Sequence, residues 1–159
     1  MKKLAGDKTV GRLIKWLRIF GLPCEMKEIK TASEIPEDTI FLTRARRLAS
    51  SNTIILISDK IEDQLKELFE RLPALEQKVK PFTLCIRCNT LLENIPKEET
   101  LGLVPDYIYE THHSFKRCPV CGRIYWPGTH QQRMNQKLFD FLQKTRNKDF
   151  SFFTNWPKK

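Results

Sequence analysis

Two cysteine pairs constrain this chain more than any other feature. Cys85-Ile86-Arg87-Cys88-Asn89 and Cys118-Pro119-Val120-Cys121-Gly122 are two CxxC units in one short stretch. A CxxC turn presents two thiolates to one side of an ion, and four thiolates complete the tetrahedral shell that Zn²⁺ prefers. Asn89 and Gly122 follow the second cysteine of each unit, and they are the residue types that best tolerate the positive φ such a turn demands. A Cys₄ shell has no open coordination position, so the expected ion is structural. Its binding energy would fold a module with little core of its own. A redox dithiol or plain reduced thiols form the competing reading, which two such units together disfavour. Cys24 stands outside the pattern and reads as a strand or core residue. Four cysteines fill the shell, so His112, His113 and His130 read as surface or RNA-facing residues. Tyr125-Trp126 reads equally as packing within the ribbon or as a platform for stacked rings.

The rest of the chain has a different rhythm. Residues 1–72 alternate short β-like runs with helical patterns, with strands expected over 1–5, 24–29, 40–43 and 53–57. A helix is expected over 9–20, where Leu13, Trp16, Leu17 and Phe20 keep the spacing of one apolar face. Residues 31–38 read as a loop with one helical turn, 44–50 as a short helix, and Ser58-Asp59 as the opening of another. That last helix carries the stripe Ile61, Leu65, Leu68, Phe69 and Leu72. The run Thr53-Ile54-Ile55-Leu56-Ile57 has the apolar character of a strand buried on both faces of a parallel sheet. The alternation implies a small α/β layer sandwich with a mostly parallel sheet. Residues 73–81, with two prolines and no periodicity, read as a linker. The expected division is an α/β domain over 1–72, a zinc ribbon over 82–130, and a basic helix with an aromatic, basic tail over 131–159. In the last segment Met134, Leu138, Phe141 and Leu142 mark a helix over 131–144.

Charge narrows the choice of partner. Lys and Arg number 28 against 19 Asp and Glu, a formal net charge of +9. The surplus sits at the ends: residues 1–18 carry six basic groups and one acidic, and residues 131–159 carry seven and two. A solvated mixed-sign surface is the plain alternative. Clustered basic ends with interleaved aromatics favour a polyanion, with RNA first. No apolar run of about 18 residues offers a membrane span. The opening residues lack the apolar core of a secretory signal. A cytoplasmic location is expected, where the cysteines would stay reduced.

In a parallel sheet, ligands gather beyond the C-terminal strand ends. Asp7 follows the first expected strand and Asp59 the fourth. If those strands were neighbours, both carboxylates would point into one crevice, and Glu62 and Asp63 could join them from the following helix. Clustered carboxylates hold Mg²⁺ or Mn²⁺, which can activate a water against a phosphodiester. The plainer readings are that Asp59-x-x-Glu62 is a capping box and that Asp7 is a turn residue.

Several stretches together resemble a known family. They are Leu4-Ala5-Gly6-Asp7-Lys8-Thr9-Val10-Gly11-Arg12 with the helix that follows, Phe41-Leu42-Thr43-Arg44-Ala45-Arg46-Arg47-Leu48-Ala49, Ser58-Asp59 with Gln64-Leu65, and Pro81-Phe82. The last is Cys118-Pro119-Val120-Cys121-Gly122-Arg123-Ile124-Tyr125-Trp126-Pro127-Gly128-Thr129-His130. In this order, over residues 1–134, the chain resembles the Mut-seven C-terminal RNase domain family. The resemblance implies a PIN-like α/β domain followed by a zinc ribbon, and a metal-dependent ribonuclease. It implies acidic roles for Asp7 and Asp59 and phosphate-facing roles for Arg12 and Arg44. One departure stands out: the family pattern Thr-Arg-Asp reads Thr43-Arg44-Ala45 here, and an alanine neither coordinates a metal nor holds a water.

The expected catalytic set is therefore Asp7, Asp59 and Asp63, short of one carboxylate. The expected RNA contacts are Arg12, Lys15, Arg44, Arg46 and Arg47, and the zinc ligands Cys85, Cys88, Cys118 and Cys121. The expected function is that of an RNA-binding PIN-like protein derived from a divalent-metal-dependent endoribonuclease, a hydrolase that would use Mg²⁺ or Mn²⁺. The alternative is an inactive factor that docks on RNA or the ribosome through its basic flanks and ribbon.

Overall fold

Short apolar runs spaced by helical segments form two units in the computed structural model, which describes residues 2–128 together with 133, 136, 137 and 140. Apart from those last four residues, the helix expected over 131–144 and the tail over 145–159 lie outside the described residues, as does His130. By contacts the chain divides into Met1–Asn89 and Thr90–Lys159.

The first unit is an α/β layer built on four parallel strands. They are β1 (Lys3–Gly6), β2 (Cys24–Met26), β3 (Thr39–Thr43) and β4 (Thr53–Ile55), in the order β2-β1-β3-β4. Side chains alternate across the sheet. Gly6 and Leu42 are aligned in register, and a Cβ at Gly6 would lie 3.2 Å from Ile14 Cδ1 of helix α1 (Gly11–Ile19), so glycine lets that helix approach closely. Ala5 and Phe41 point the other way, into a cluster with Ile29, Ile35 and Leu48. Leu13, Leu17 and Phe20 of the expected stripe are buried, and Trp16 meets Phe20 edge-on with centroids 5.9 Å apart. Phe20 in turn lies 6.2 Å from Phe69 of helix α2 (Ile61–Arg71). Each such fully buried side chain contributes about 1.5–3 kcal/mol.

Three local expectations are corrected. β4 pairs only with β3, so it is an edge strand; Ile55 is half-buried and Ile57, just past its end, is 67% exposed. The apolar run reflected an exposed continuation, not burial on two faces. The helix expected over 44–50 is a single 3₁₀ turn, Arg46–Leu48. The expected linker is packed structure: Pro73–Lys78 is a 3₁₀ stretch with Leu75 buried, and Val79 is buried after it. Lys80 N–H donates to Phe20 O and Phe82 N–H to Ile19 O. Gly21, at φ +75, makes this possible, because a Cβ there would stand 1.9 Å from Lys80 O. Leu75 and Val79 supplied the apolar contacts that outweighed the prolines' punctuation.

The second unit holds an antiparallel sheet of β5 (Glu93–Ile95), β6 (Phe115–Arg117) and β7 (Ile124–Tyr125), in the order β5-β6-β7. A short helix α3 (Asp106–Thr111), absent from the expected hairpins, connects β5 to β6. Val104, Ile108 and Phe115 are its buried cluster, flanked by Ile95, Tyr109, Ile124 and Trp126. The Trp126 ring lies 6.5 Å from that of Phe115, so this tryptophan serves packing. No helix of the described residues is long and apolar enough to cross a membrane.

Candidate functional site

The two knuckles fold alike. Asn89 and Gly122 take positive φ (56 and 74), as their positions demand. Asn89 N–H donates to Cys85 O and Gly122 N–H to Cys118 O, each at 2.9 Å. The ligand atoms of Cys85, Cys88, Cys118 and Cys121 all lie within 4.8 Å of one another. Four soft thiolates at this spacing fit a tetrahedral Zn²⁺, and they leave no position for a substrate. The first knuckle is held from its own unit: Arg18 Nη1 donates to Ile86 O at 2.9 Å, and Asn89 Oδ1 accepts Cys24 N–H at 3.0 Å. Cys24 itself is buried, and burial pushes its thiol up to about 12 despite the nearby Arg18 cation, with Glu25 adding to the rise. It is a core thiol, as its position outside the pattern suggested.

At the opposite chemical pole, Asp7 ends β1 beside β3. It is only 8% exposed and caps the 3₁₀ turn Lys8–Val10. One carboxylate oxygen accepts Thr9 N–H at 3.0 Å and the Thr9 hydroxyl; the other accepts the Thr43 hydroxyl at 2.6 Å. Those hydroxyls accept in turn from Arg44 N–H (2.9 Å) and Ala45 N–H (3.0 Å). A buried carboxylate is tolerated when its lone pairs are satisfied in this way. The turn-residue reading of Asp7 is correct, and it also names the residues that sequence reasoning missed, Thr9 and Thr43. Their signal was available: hydroxyls two residues after Asp7 and at the end of the neighbouring strand.

Asp59 belongs to a different pair. β3 separates β1 from β4, so the two carboxylates do not end adjacent strands. Asp59 is 86% exposed at its side chain and accepts Arg44 Nη2 at 2.5 Å, while Arg44 Nη2 also donates to Ile57 O at 3.2 Å. It caps nothing: the residue preceding α2 is Lys60, with no side-chain cap bond. Two residues of α2 hold the loop that carries Asp59. Gln64 Nε2 donates to Ser58 O at 2.8 Å, and Glu67 accepts the amides of Ile57 and Ser58, each at 3.1 Å, together with the Ser58 hydroxyl. Burial raises the Glu67 carboxyl, but the Ser58 hydroxyl, both amides and Arg71 outweigh it and hold the group below its ordinary value. Glu67 carried no sequence signal, since an acid on a helix reads as solvent-facing, and Gln64 stood out only within the family resemblance.

Between these groups lies a hollow of about 300 Å³, lined by Lys8, Thr9, Arg12, Arg44, Asp59 and Gln64 among others. Arg46 lines a smaller hollow of about 160 Å³ beside Arg44. Lys15 is exposed on α1 outside both, and Arg47 donates to Lys30 O. Asp63 and Glu62 are exposed on α2 and line neither hollow.

A catalytic Mg²⁺ or Mn²⁺ would need several oxygen ligands converging at about 2.0–2.1 Å. Among the described residues, the four cysteines form the one group of three or more potential metal ligands, and no carboxylate group joins them. Asp7 has both oxygens in hydrogen bonds, Asp59 faces a guanidinium, and Ala45 packs against the apolar cluster around Phe41. The residues present do not fit a carboxylate-held divalent ion. They fit an anion better: three cationic side chains around one exposed carboxylate.

A family model described as Mut7-C RNAse domain matches residues 2–138. No curated protein and no solved structure matches the chain.

Proposed function

Because that match takes in well over half of its length, the chain belongs to the Mut7-C RNAse domain family, and we propose that it binds RNA at the C-terminal end of its parallel sheet without hydrolysing it through a carboxylate-held metal. A ribonuclease-like, RNA-related role is the family's common ground. The observation that carries the finer reading is the pairing of Arg44 with Asp59 beside a fully hydrogen-bonded Asp7. An exposed ion pair contributes only about 0–1 kcal/mol, so an RNA phosphate can take Arg44 from Asp59 at little cost. Lys8 and Arg12 then lie along the same hollow to accept neighbouring phosphates, and Arg46 extends the path. The basic surplus of residues 131–159 adds further attraction for a polyanion, whether free RNA or a ribonucleoprotein such as the ribosome. Phosphate contacts of this kind position a strand and do not read its bases.

The family supports a second reading, divalent-metal-dependent endoribonuclease activity with Asp7, Asp59 and Asp63 as the acidic groups. One experiment separates the two. Full-length protein is titrated with a labelled single-stranded RNA at several salt concentrations, with and without Mg²⁺ or Mn²⁺, and the RNA is then sized. We expect intact RNA and an affinity that falls with log salt by about 0.7 per phosphate contact. Replacing Arg12 and Arg44 together with Gln should weaken binding about tenfold. Metal-dependent cleavage that disappears in Asp7→Asn would instead establish the nuclease. Unchanged affinity in the double variant would remove the hollow as the RNA site.

A further inference from the structure

One group in the hollow is at odds with a site that takes phosphates alone. Lys8, Arg12 and Arg44 line it together with Asp59, the single carboxylate among its lining residues. The Asp59 side chain is 86% exposed, and Arg44 Nη2 engages its Oδ1. Among the described residues Oδ2 has no hydrogen bond or ion pair. The backbone that bears this carboxylate is fixed before any ligand arrives. Gln64, itself buried, and Glu67 hold Ser58 and the Ile57 amide through four hydrogen bonds.

Phosphate binding here therefore creates a second requirement. A phosphodiester that takes Arg44 leaves the Asp59 carboxylate beside it, two anions sharing one guanidinium. Lys8 and Arg12 can neutralise the carboxylate only by giving up phosphates of their own. An ionised carboxylate accepts hydrogen bonds and donates none, so the ligand itself has to bring the donor. The sugar–phosphate backbone of DNA has no donor hydrogen, and base N–H groups are common to both polymers. RNA carries one donor per nucleotide in its backbone, the ribose 2′-hydroxyl, the group by which a protein tells RNA from DNA. An acidic side chain on a ribose hydroxyl near a bound phosphate is a recurring solution in nucleotide sites.

We propose that Asp59 makes this hollow specific for ribose: its carboxylate accepts the 2′-hydroxyl of a nucleotide flanking the phosphate on Arg44. Without that hydroxyl the carboxylate stays unpaired against the strand and repels it. This role rests on the RNA reading of the hollow and adds to it the sugar that the strand must carry. It needs neither a metal ion nor a base contact.

The test uses full-length, zinc-loaded protein without added Mg²⁺ or Mn²⁺, and three labelled oligouridines of one length: RNA, 2′-deoxy and 2′-fluoro. The last keeps the ribose pucker but lacks the hydroxyl hydrogen. The RNA is expected to bind about tenfold more tightly than either analogue, the low end for one hydrogen bond to a charged group. Asp59→Ala should bring the three affinities together, chiefly by tightening the two analogues. Asp59 is exposed and caps no helix, so the variant keeps its fold. Arg12→Gln should weaken all three strands alike and leave their ratio in place. Equal affinities in the unaltered protein, binding of the 2′-fluoro strand as tight as RNA, or an unchanged ratio in Asp59→Ala would overturn this role while the RNA reading stands. The RNA reading falls on a different result, unchanged RNA affinity when Arg12 and Arg44 are both replaced, and takes this role with it.

Discussion

The two units reach order by different physics. In Met1–Asn89, aliphatic and aromatic side chains from β1, β3, α1 and α2 are buried on both faces of a sheet, and Phe41, Leu13 and Leu68 are fully enclosed. Among the described residues of the second unit, Val104, Ile108 and Phe115 form a small buried apolar cluster, with Ile95, Tyr109, Ile124 and Trp126 packed against it. Its strands are two or three residues long, and its cysteines complete a four-thiolate group. A module with so small a described core offsets its chain entropy poorly, and a metal held by the four thiolates would supply the difference. The comparison teaches that a sheet core and a four-thiolate group are two different ways of ordering a chain, whose separability can be tested.

The largest effect should follow from removing the ion. Structural zinc sites in small modules contribute on the order of 10 kcal/mol. Chelation, or Cys118→Ser, should abolish amide protection across β5, β6 and β7 while β1 and β3 keep theirs, as hydrogen exchange would record. Loss of protection in both sets together would break the comparison. Cys24 serves as an internal control, because its buried thiol, with a pKa near 12, should stay unreactive to alkylation after chelation and react only on unfolding.

The second effect tests the hydrogen-bonded end of the sheet. Asp7→Ala leaves the Thr9 and Thr43 hydroxyls and the Thr9 amide without their shared acceptor. Each charged hydrogen bond contributes about 1.5–3 kcal/mol, so a loss of about 2–3 kcal/mol in urea unfolding of the first unit is expected. An unchanged midpoint would mean that Asp7 is held for function and contributes nothing to the fold.

The smallest effect depends on pH. Glu67 has a folded-state pKa below its ordinary 4.5. Its contribution is therefore present above about that value and is lost as pH falls through the lower folded value. Glu67→Gln should flatten the fall in stability of the first unit below pH 4.5 and loosen the loop bearing Asp59. Identical pH profiles for the two proteins would show that the loop holds itself.

Legibility tracked the range of the interactions involved. The knuckles, the positive φ at Asn89 and Gly122, and the stripe of α1 were readable because neighbours within a few residues decide them. The four parallel strands were readable from alternation, with boundaries displaced by one to three residues and the sheet's outer edge misjudged at 53–57. The packing of 73–81 was not readable, since its prolines signal a break while Leu75 and Val79 act only through distant partners. The partners of the carboxylates were not readable for the same reason. Whether Asp59 neighbours Asp7 depends on strand order, and β3 stands between them.

Spacing along the chain thus decides where thiolates can meet and which helix face is apolar, since covalent geometry and the helical repeat carry that information locally. Which partner each side chain finds is another matter. Asp7 turned to two threonines, Asp59 to Arg44 and Ala45 to the cluster around Phe41, because those choices rest on contacts between strands and loops far apart in the chain.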